Sequence, residues 1–449
     1  MSVTMAVHQK LIRTLRCKNR KFIGVLAKLI STLSAMGADI GNISTVSFGE
    51  LHNTRDITII VNDEDHLNAV VSAVRKLADV ELESIIDEVL EIHRGGKLIL
   101  QPKIHIQSIE DLRKVYTPGV ASVCRVIKND VLQAENYTTI GKTVALVTNG
   151  SRVLGLGNLG PVPSMPVMEG KAALCNQFSG LHMIPILIDT LDIRRFIEAV
   201  ETISKTFSAI QLEDIQTPDC YEIESELIKR LKIPVMHDDQ HGTATVALAA
   251  LINASRIAKL DLKTARVGQI GLGAAGSAIA SLIMKYTGQT VLGTDVNKDA
   301  QKRFKHLGGE VAKLEDIMKN CDVVIATTGR PGLIKPESVR KGQVIMALSN
   351  PFPEISSADA VKAGAAFASD GSRVNNLLGF PGIFRGAIDA HAVRLTPEMF
   401  LAAANAIVDQ TPEEELIPDP LDAMVHKAVA KAVAKAAVQC KVTRDFLRE

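Results

Sequence analysis

Apolar residues at Phe22, Val25, Leu26, Leu29, Leu33 and Met36 recur every three or four positions, which predicts an amphipathic helix that Gly37 terminates. The run from Ile12 to Arg16 before it, and Ile43 to Phe48 and Asp56 to Val61 after it, read as strands. A second helical pattern follows in Leu67, Val70, Val71, Val74 and Leu77, and Ile85 to Ile92 supplies a last strand. The order is βαββαβ, a ferredoxin-like small domain over residues 1–95, with His93-Arg94-Gly95-Gly96-Lys97 as the linker out of it.

Residues 96–259 form a mixed segment that carries most of the candidate chemistry and reads as an α/β substrate domain. Beyond it the pattern becomes strand (Ala265 to Ile270), glycine loop, helix (Ser277 to Tyr286) and strand (Thr290 to Thr294), ending in Asp295. That is a Rossmann-type βαβ unit, and Cys321 to Thr327 and Gln343 to Leu348 read as further buried parallel strands of a dinucleotide-binding domain over residues 260–449. The stretch from Met424 to Val438 reads as one long helix with an apolar face.

Composition narrows the function. With 51 basic against 50 acidic residues in 449, the net charge of +1 leaves no basic face large enough for nucleic acid or anionic lipid. Six scattered cysteines without a C-x-x-C spacing, in a chain this long, fit a reducing compartment. Charged residues interrupt the stretch from Met1 to Lys21, and no run approaches the ~18 apolar residues of a membrane helix. The expectation is a soluble cytoplasmic protein whose partners are small molecules and other subunits.

The G-x-G-x-x-G pattern occurs twice, at Gly155-Leu156-Gly157-Asn158-Leu159-Gly160 and at Gly271-Leu272-Gly273-Ala274-Ala275-Gly276. Pro161, Pro163 and Pro166 follow the first loop and are expected to forbid the helix whose amides would bind pyrophosphate. The second loop leads into a good helix and has its acidic partner, Asp295, at the end of the next strand. Asp295 favours the ribose hydroxyls of NAD over a 2′-phosphate, while Lys298 and Lys302 keep NADP possible.

Glu213-Asp214 and Asp238-Asp239 converge from separate segments upstream of that loop, and oxygen ligands of this kind suit Mg²⁺ or Mn²⁺. A metal beside a nicotinamide points to oxidation of a hydroxy acid that chelates it. His237 and His241 imitate the H-E-x-x-H zinc pattern, but Leu231 to Met236 leads in as a strand, and a loop after it is expected to project the two aspartates. Solvated turn aspartates are the bland alternative.

Six motifs carry a resemblance. Tyr116-Thr117-Pro118-Gly119-Val120, the stretch from Arg152 to Gly157, Met168-Glu169-Gly170-Lys171, Leu212-Glu213-Asp214-Ile215, His237 to Thr243, and Ser349-Asn350-Pro351 stand in the order and spacing found in malic enzymes. The chain resembles a small bacterial-type malic enzyme, and its first 90 or so residues resemble ACT regulatory domains, in which a glycine at the first helix, here Gly24, lies near an effector site between paired domains. The resemblance implies conversion of malate to pyruvate and CO₂ with reduction of NAD(P)⁺. It also implies Glu213, Asp214 and Asp239 as metal ligands with Asp238 beside them, Tyr116 and Lys171 as the acid and base, and Arg152, Asn350 and Asn376 near substrate and nicotinamide. The cofactor cradle is Gly271, Gly273, Ala274, Ala275, Gly276 and Asp295, with Asn350.

Lys171 can act as a base only if its pKa is depressed, by burial or by the adjacent cation, and the apolar residues around it fit burial. Asn375-Asn376 could equally be plain turn residues. A homodimer or higher homo-oligomer is implied, with the C-terminal helix offering an apolar face. Three rivals remain open at this point: a malolactic enzyme giving lactate, a metal-free amino-acid dehydrogenase, and a non-catalytic ACT-linked dinucleotide sensor.

Overall fold

The computed structural model describes residues 10–153, 155–372 and 374–444, so the first nine residues of the N-terminal stretch and the last five of the third segment lie outside it. The chain forms two units, residues 1–97 and 98–449.

In the first unit, strands Leu11–Arg20, Asp39–Phe48, His52–Val61 and Val80–Ile86 alternate with helices Val25–Ala35 and Glu64–Arg75. The sheet is antiparallel with the Asp39 strand outermost, then the His52, Leu11 and Val80 strands, the split βαβ order of ferredoxin-like domains. One face of the sheet and the helical stripes close a core of Leu15, Leu29, Leu33, Ile57, Ile59, Val70 and Val74. The last strand lies earlier than the apolar run from Ile85 to Ile92 suggested: it covers Val80–Ile86 and meets that run only at Ile85 and Ile86. Asp87 accepts a hydrogen bond from the Leu90 amide at 3.1 Å and starts a helix, Glu88–His93, so a local cap overrides the apolar alternation after Ile86.

The second unit holds two parallel sheets. The four-stranded one runs His182–Leu187, Thr143–Thr148, Ala209–Leu212, Val235–His237. The six-stranded one starts with Val267–Ile270, Leu292–Thr294 and Glu310–Val311, followed by Val323–Ala326, Val344–Ala347 and Phe367–Asp370, and its spatial order is third, second, first, fourth, fifth, sixth. That reversal on either side of the first strand is the doubly wound dinucleotide fold. A 20-residue helix, Asp238–Ile257, links the sheets and is buried over most of its length.

The C-terminal helix Ala423–Gln439 corrects one expectation. Val425, Val429, Val433 and Ala437 are buried inside the unit's own core, and Gly382 and Gly386 leave no room for a Cβ against that helix. Its apolar face is consumed within the chain and is not free for a partner. The uncovered apolar surface lies elsewhere: helices Ile109–Val115 and Val120–Asn129 bury no residue, and Ile99, Leu100, Ile104, Ile106, Ile109 and Leu112 are exposed. Among the described residues, no helix is long and apolar enough to cross a membrane.

Candidate active site

Strands Ala209–Leu212 and Val235–His237 are parallel neighbours, so the residues after each emerge at the same sheet edge. Glu213-Asp214 and Asp238-Asp239 therefore meet there, and ligand oxygens of Glu213, Asp214 and Asp239 lie within 4.8 Å of one another. Asp214 sits at φ 51°, a left-handed conformation that aspartate tolerates better than most residues. No loop follows His237: the helix starts at once, with His237 as N-cap and both aspartates in its first turn. A carboxylate there faces the positive end of the helix dipole, which is why two acids can start a buried helix. Gly242 is part of the same arrangement, since a Cβ at that position would overlap the Asp238 carboxylate.

Lys171, on helix Pro161–Ser179, reaches into the cluster. Its ammonium donates to Glu213 Oε1 at 2.5 Å and to Asp238 Oδ2, and lies 4.9 Å from the centre of the Phe380 ring. Burial alone would push this lysine down, as the sequence suggested, but Asp238 and Glu213 outweigh it and hold the pKa above the ordinary lysine value. These two carboxylates favour the ammonium form, so burial by itself does not supply the depressed pKa a base needs. Burial raises Glu213 and Asp238 despite Lys171, and burial with the Asp239 charge pushes Asp214 up to about 7.

Four carboxylates thus share one ammonium and the exposed Arg152, whose charge lowers Asp214 but does not outweigh burial and the neighbouring acids. Asp214 Oδ2 and Asp238 Oδ1 are buried without a hydrogen-bond partner among the described residues. A hard divalent cation held by Glu213, Asp214 and Asp239 fits this donor set, and it relieves the excess negative charge that burial penalises.

The second glycine loop fits a dinucleotide. Gly271 has φ 90°, and a Cβ on Gly276 would overlap the Gly271 carbonyl, whereas the space beside Gly273 is open. Helix Ala274–Thr287 starts there without a side-chain cap, leaving its first amides for a pyrophosphate. Asp295 Oδ2 accepts from the Leu272 amide at 2.6 Å, so the acid expected near the ribose also pins the loop. Ala274 packs in one apolar cluster with Leu212 and Ile215, the residues flanking Glu213-Asp214.

Other expected residues divide. Asn376 donates to Asp238 Oδ2 at 2.6 Å and so joins the cluster, while Asn375 makes the turn, accepting from the Leu377 amide at 2.9 Å. Asn350 is exposed and donates to the Gly371 carbonyl at 3.0 Å. Tyr116, 67 % exposed at the end of its helix, makes no hydrogen bond to Lys171 among the described residues. The first glycine loop contradicts the expectation drawn from its prolines. Helix Pro161–Ser179 begins directly after Gly160, because Pro161 and Pro163 occupy first-turn positions whose amides need no intrahelical partner, and the helix continues through Pro166.

Two buried residues, Gln211 and Glu224, have no counterpart in the sequence reading, and a third, His237, enters it only as part of a zinc-like pattern and of the His237 to Thr243 motif. Gln211, two positions before Glu213 on the same strand, donates to Glu213 Oε2 at 2.8 Å. Glu224, on helix Asp219–Arg230, accepts from the His237 amide at 2.7 Å and from Gln240 Nε2 at 2.8 Å, and pairs with His241 at 3.2 Å. His237 is fully buried, with Nε2 3.5 Å from Asp239 Oδ2. Only the strand alternation placing Gln211 beside Glu213 was available from sequence; the Glu224 contacts come from pairing of distant segments. They also change the ground for setting zinc aside: His241 is on a helix with His237 at its cap, but its ring is paired with Glu224 and stacked on Phe400 at 4.9 Å.

Comparison with known proteins agrees with this geometry. The model of the malic enzyme N-terminal domain matches residues 97–228, and that of the malic enzyme NAD binding domain matches residues 294–440. A model of the D-isomer specific 2-hydroxyacid dehydrogenase NAD binding domain matches residues 235–330, across the second glycine loop. The chain is 51 % identical over 434 residues to NAD-dependent malic enzyme 1 of Bacillus subtilis, covering 96 % of this chain and 99 % of that one. It is 40 % identical to the bifunctional malic/malolactic enzyme of the same organism, over 80 % of this chain and 95 % of the relative. The crystal structure of the Pyrococcus horikoshii malic enzyme superposes with a TM-score of 0.74 at 38 % identity, over 80 % of this chain and 91 % of that one. With the carboxylate cluster, the buried lysine and the dinucleotide fold joined in one unit, the chain belongs to the malic enzyme family.

Proposed function

We propose that this chain oxidatively decarboxylates malate to pyruvate and CO₂ with reduction of NAD⁺. The observation that carries the reading is the Asn376–Asp238–Lys171–Glu213 chain of hydrogen bonds, which runs from the end of the dinucleotide sheet to the carboxylate cluster. Glu213, Asp214 and Asp239 would hold Mg²⁺ or Mn²⁺, which would supply positive charge against negative charge on the substrate oxygens. Gly271, Gly273, Ala274, Ala275 and Gly276 would cradle NAD, which would supply the acceptor for the hydride leaving C2. Asp295 beside this loop and the pairing of Lys302 with Asp299 at 3.0 Å support NAD over NADP.

The chain's own groups manage charge and protons. Arg152 presents a guanidinium fork for a substrate carboxylate. Lys171 carries a proton at Nζ, hydrogen-bonded to Asp238 and Glu213; that proton would pass to solvent as the cluster takes up its cation, and the neutral amine would then take the substrate hydroxyl proton. Tyr116 supplies the proton that C3 gains after CO₂ departs. Its exposure, amid the uncovered apolar residues from Ile99 to Leu112, supports a homo-oligomer in which this surface is covered.

The first unit is an ACT-like effector module in this reading. Gly24 has φ 90° and leaves its helix without a side-chain cap, and nearby Asn19 is buried with both amide atoms lacking partners among the described residues. Exposed Ile43, Val46 and Phe48 on the outermost strand support pairing of two such units. Six unbridged cysteines support a reducing cytoplasmic setting.

The test is initial rate with malate and NAD⁺ or NADP⁺, with Mn²⁺ or EDTA, with products quantified. Stoichiometric NADH and pyruvate are expected. Lactate without NADH would replace this reading with the malolactic one, which the bifunctional relative makes the natural second choice. Full activity in EDTA would exclude the metal site.

A further inference from the structure

We infer that Glu224 is a positioning residue that sets the affinity of the cation site, although it is not itself a ligand. Every hydrogen bond the structure gives this buried carboxylate goes to one short segment: the His237 amide at 2.7 Å, Gln240 Nε2 at 2.8 Å and His241 Nε2 at 3.2 Å. Asp239 lies inside that segment, at the second position of the helix.

Helix starts of this kind usually cap themselves. In a capping box, a Glu or Gln at the third helical position reaches back to accept the N-cap amide. Here the N-cap is His237 and the third position is Gln240, but His237 provides no side-chain cap and Gln240 turns its amide toward Glu224. Glu224, thirteen residues earlier on a different helix, takes the N-cap amide instead. The strand-to-helix junction is therefore fixed by a group outside the local chain. The His241 ring, held flat against Phe400 with 3° between planes, fixes the third arm.

Asp239 needs such support because its own side chain is 39 % exposed, unlike Glu213 and Asp238 in the same cluster. Its carboxylate has the buried His237 ring at 3.5 Å, and His237 is held through the amide that Glu224 accepts. The order of dependence is Glu224, then the His237 backbone, then the direction of Asp239. Side chains that orient ligands in this way typically change metal affinity 10- to 100-fold when replaced, a range of roughly one to two decades.

The experiment is a titration of the full chain with Mn²⁺, with free Mn²⁺ read by electron paramagnetic resonance. Glu224→Gln keeps the shape but turns an amide toward Gln240 and His241, which already donate. Its Mn²⁺ dissociation constant is expected to rise about 10-fold or more, with a higher KM for malate at limiting Mn²⁺ and kcat restored at saturating Mn²⁺. Gln240→Ala removes one arm and is expected to give a smaller shift in the same direction. Unchanged Mn²⁺ affinity in a folded Glu224→Gln protein overturns the inference. So does a fall in kcat that saturating Mn²⁺ does not repair, which marks a general structural role. If Glu224→Gln fails to fold, wild-type Mn²⁺ affinity in Gln240→Ala overturns it. The inference rests on the cation site proposed above, and failure of the unaltered chain to bind Mn²⁺ in the same titration would refute that site itself.

Discussion

Lys171 Nζ lies 2.5 Å from Glu213 Oε1, so the proposed proton carrier and a bound cation address the same carboxylate. Proton and metal occupancy are thereby coupled: a cation on Glu213 weakens the hold of the cluster on the lysine proton, moving Lys171 toward the neutral form that a base requires.

Replacing Lys171 with alanine separates these roles. The buried Glu213 and Asp238 lose their ammonium, and breaking such a pair costs about 3–5 kcal/mol when the remaining charge stays uncompensated. The expected result is a lower melting temperature in EDTA, a larger Mn²⁺-induced rise, and kcat reduced by roughly 10²–10⁴-fold. Steady-state kinetics beside thermal melts would check it, and a kcat within tenfold of the parent would remove Lys171 from the mechanism.

Stability should depend on metal and pH together. Asp214 is pushed up to about 7, so its protonated form favours the metal-free fold. That contribution is complete below the ordinary carboxylate value of about 3.9 and is lost as pH rises through about 7. Ligation needs the ionised form, so cation binding strengthens across the same window. The Mn²⁺-induced rise in melting temperature is expected to be larger near pH 8 than near pH 6; the reverse order would contradict the assignment of Asp214 as a ligand.

Asp295→Asn tests cofactor choice with little change of shape. The Leu272 amide keeps an oxygen acceptor, but the negative charge that disfavours a 2′-phosphate is gone. KM for NAD⁺ should rise about tenfold or more, the scale of a lost charge-assisted hydrogen bond, and the NADP⁺ to NAD⁺ ratio of kcat/KM should move toward NADP⁺. An unchanged ratio would mean that the ribose is recognised elsewhere.

Deleting residues 1–95 addresses the first unit. Its core is built from its own residues, and the second unit has its own apolar clusters. Basal malate oxidation is expected to survive and any response to small-molecule effectors to vanish. A response that persists in the truncated protein assigns regulation to residues 96–449.

What the sequence disclosed depended on whether the cause was local. The turn at Gly271 to Gly276 and its distance to Asp295 follow from backbone rules acting within one βαβ unit, and the meeting of Glu213-Asp214 with Asp239 follows from two strands ending at one edge. Local rules misled where position within an element mattered: Pro161 and Pro163 forbid a helix interior but suit its first turn. The sign of the Lys171 shift was hidden because burial and two carboxylates oppose each other, and only their distances decide the outcome. Glu224 was invisible, since nothing near it in the chain announces that its partners are His237, Gln240 and His241. Tyr116 shows the remaining limit, a residue whose surroundings in a single chain do not complete its proposed task.

Gly242 has a practical meaning for anyone seeking a hardier variant. A glycine inside a helix forfeits up to ~1 kcal/mol relative to alanine, and swapping it out is ordinarily among the safest routes to heat resistance. In helix Asp238–Ile257 that route is closed, because the added methyl would take the space filled by the Asp238 carboxylate. The helix accepts a weaker second turn so that an acid can stand upright at its head, and engineering for robustness has to begin somewhere else.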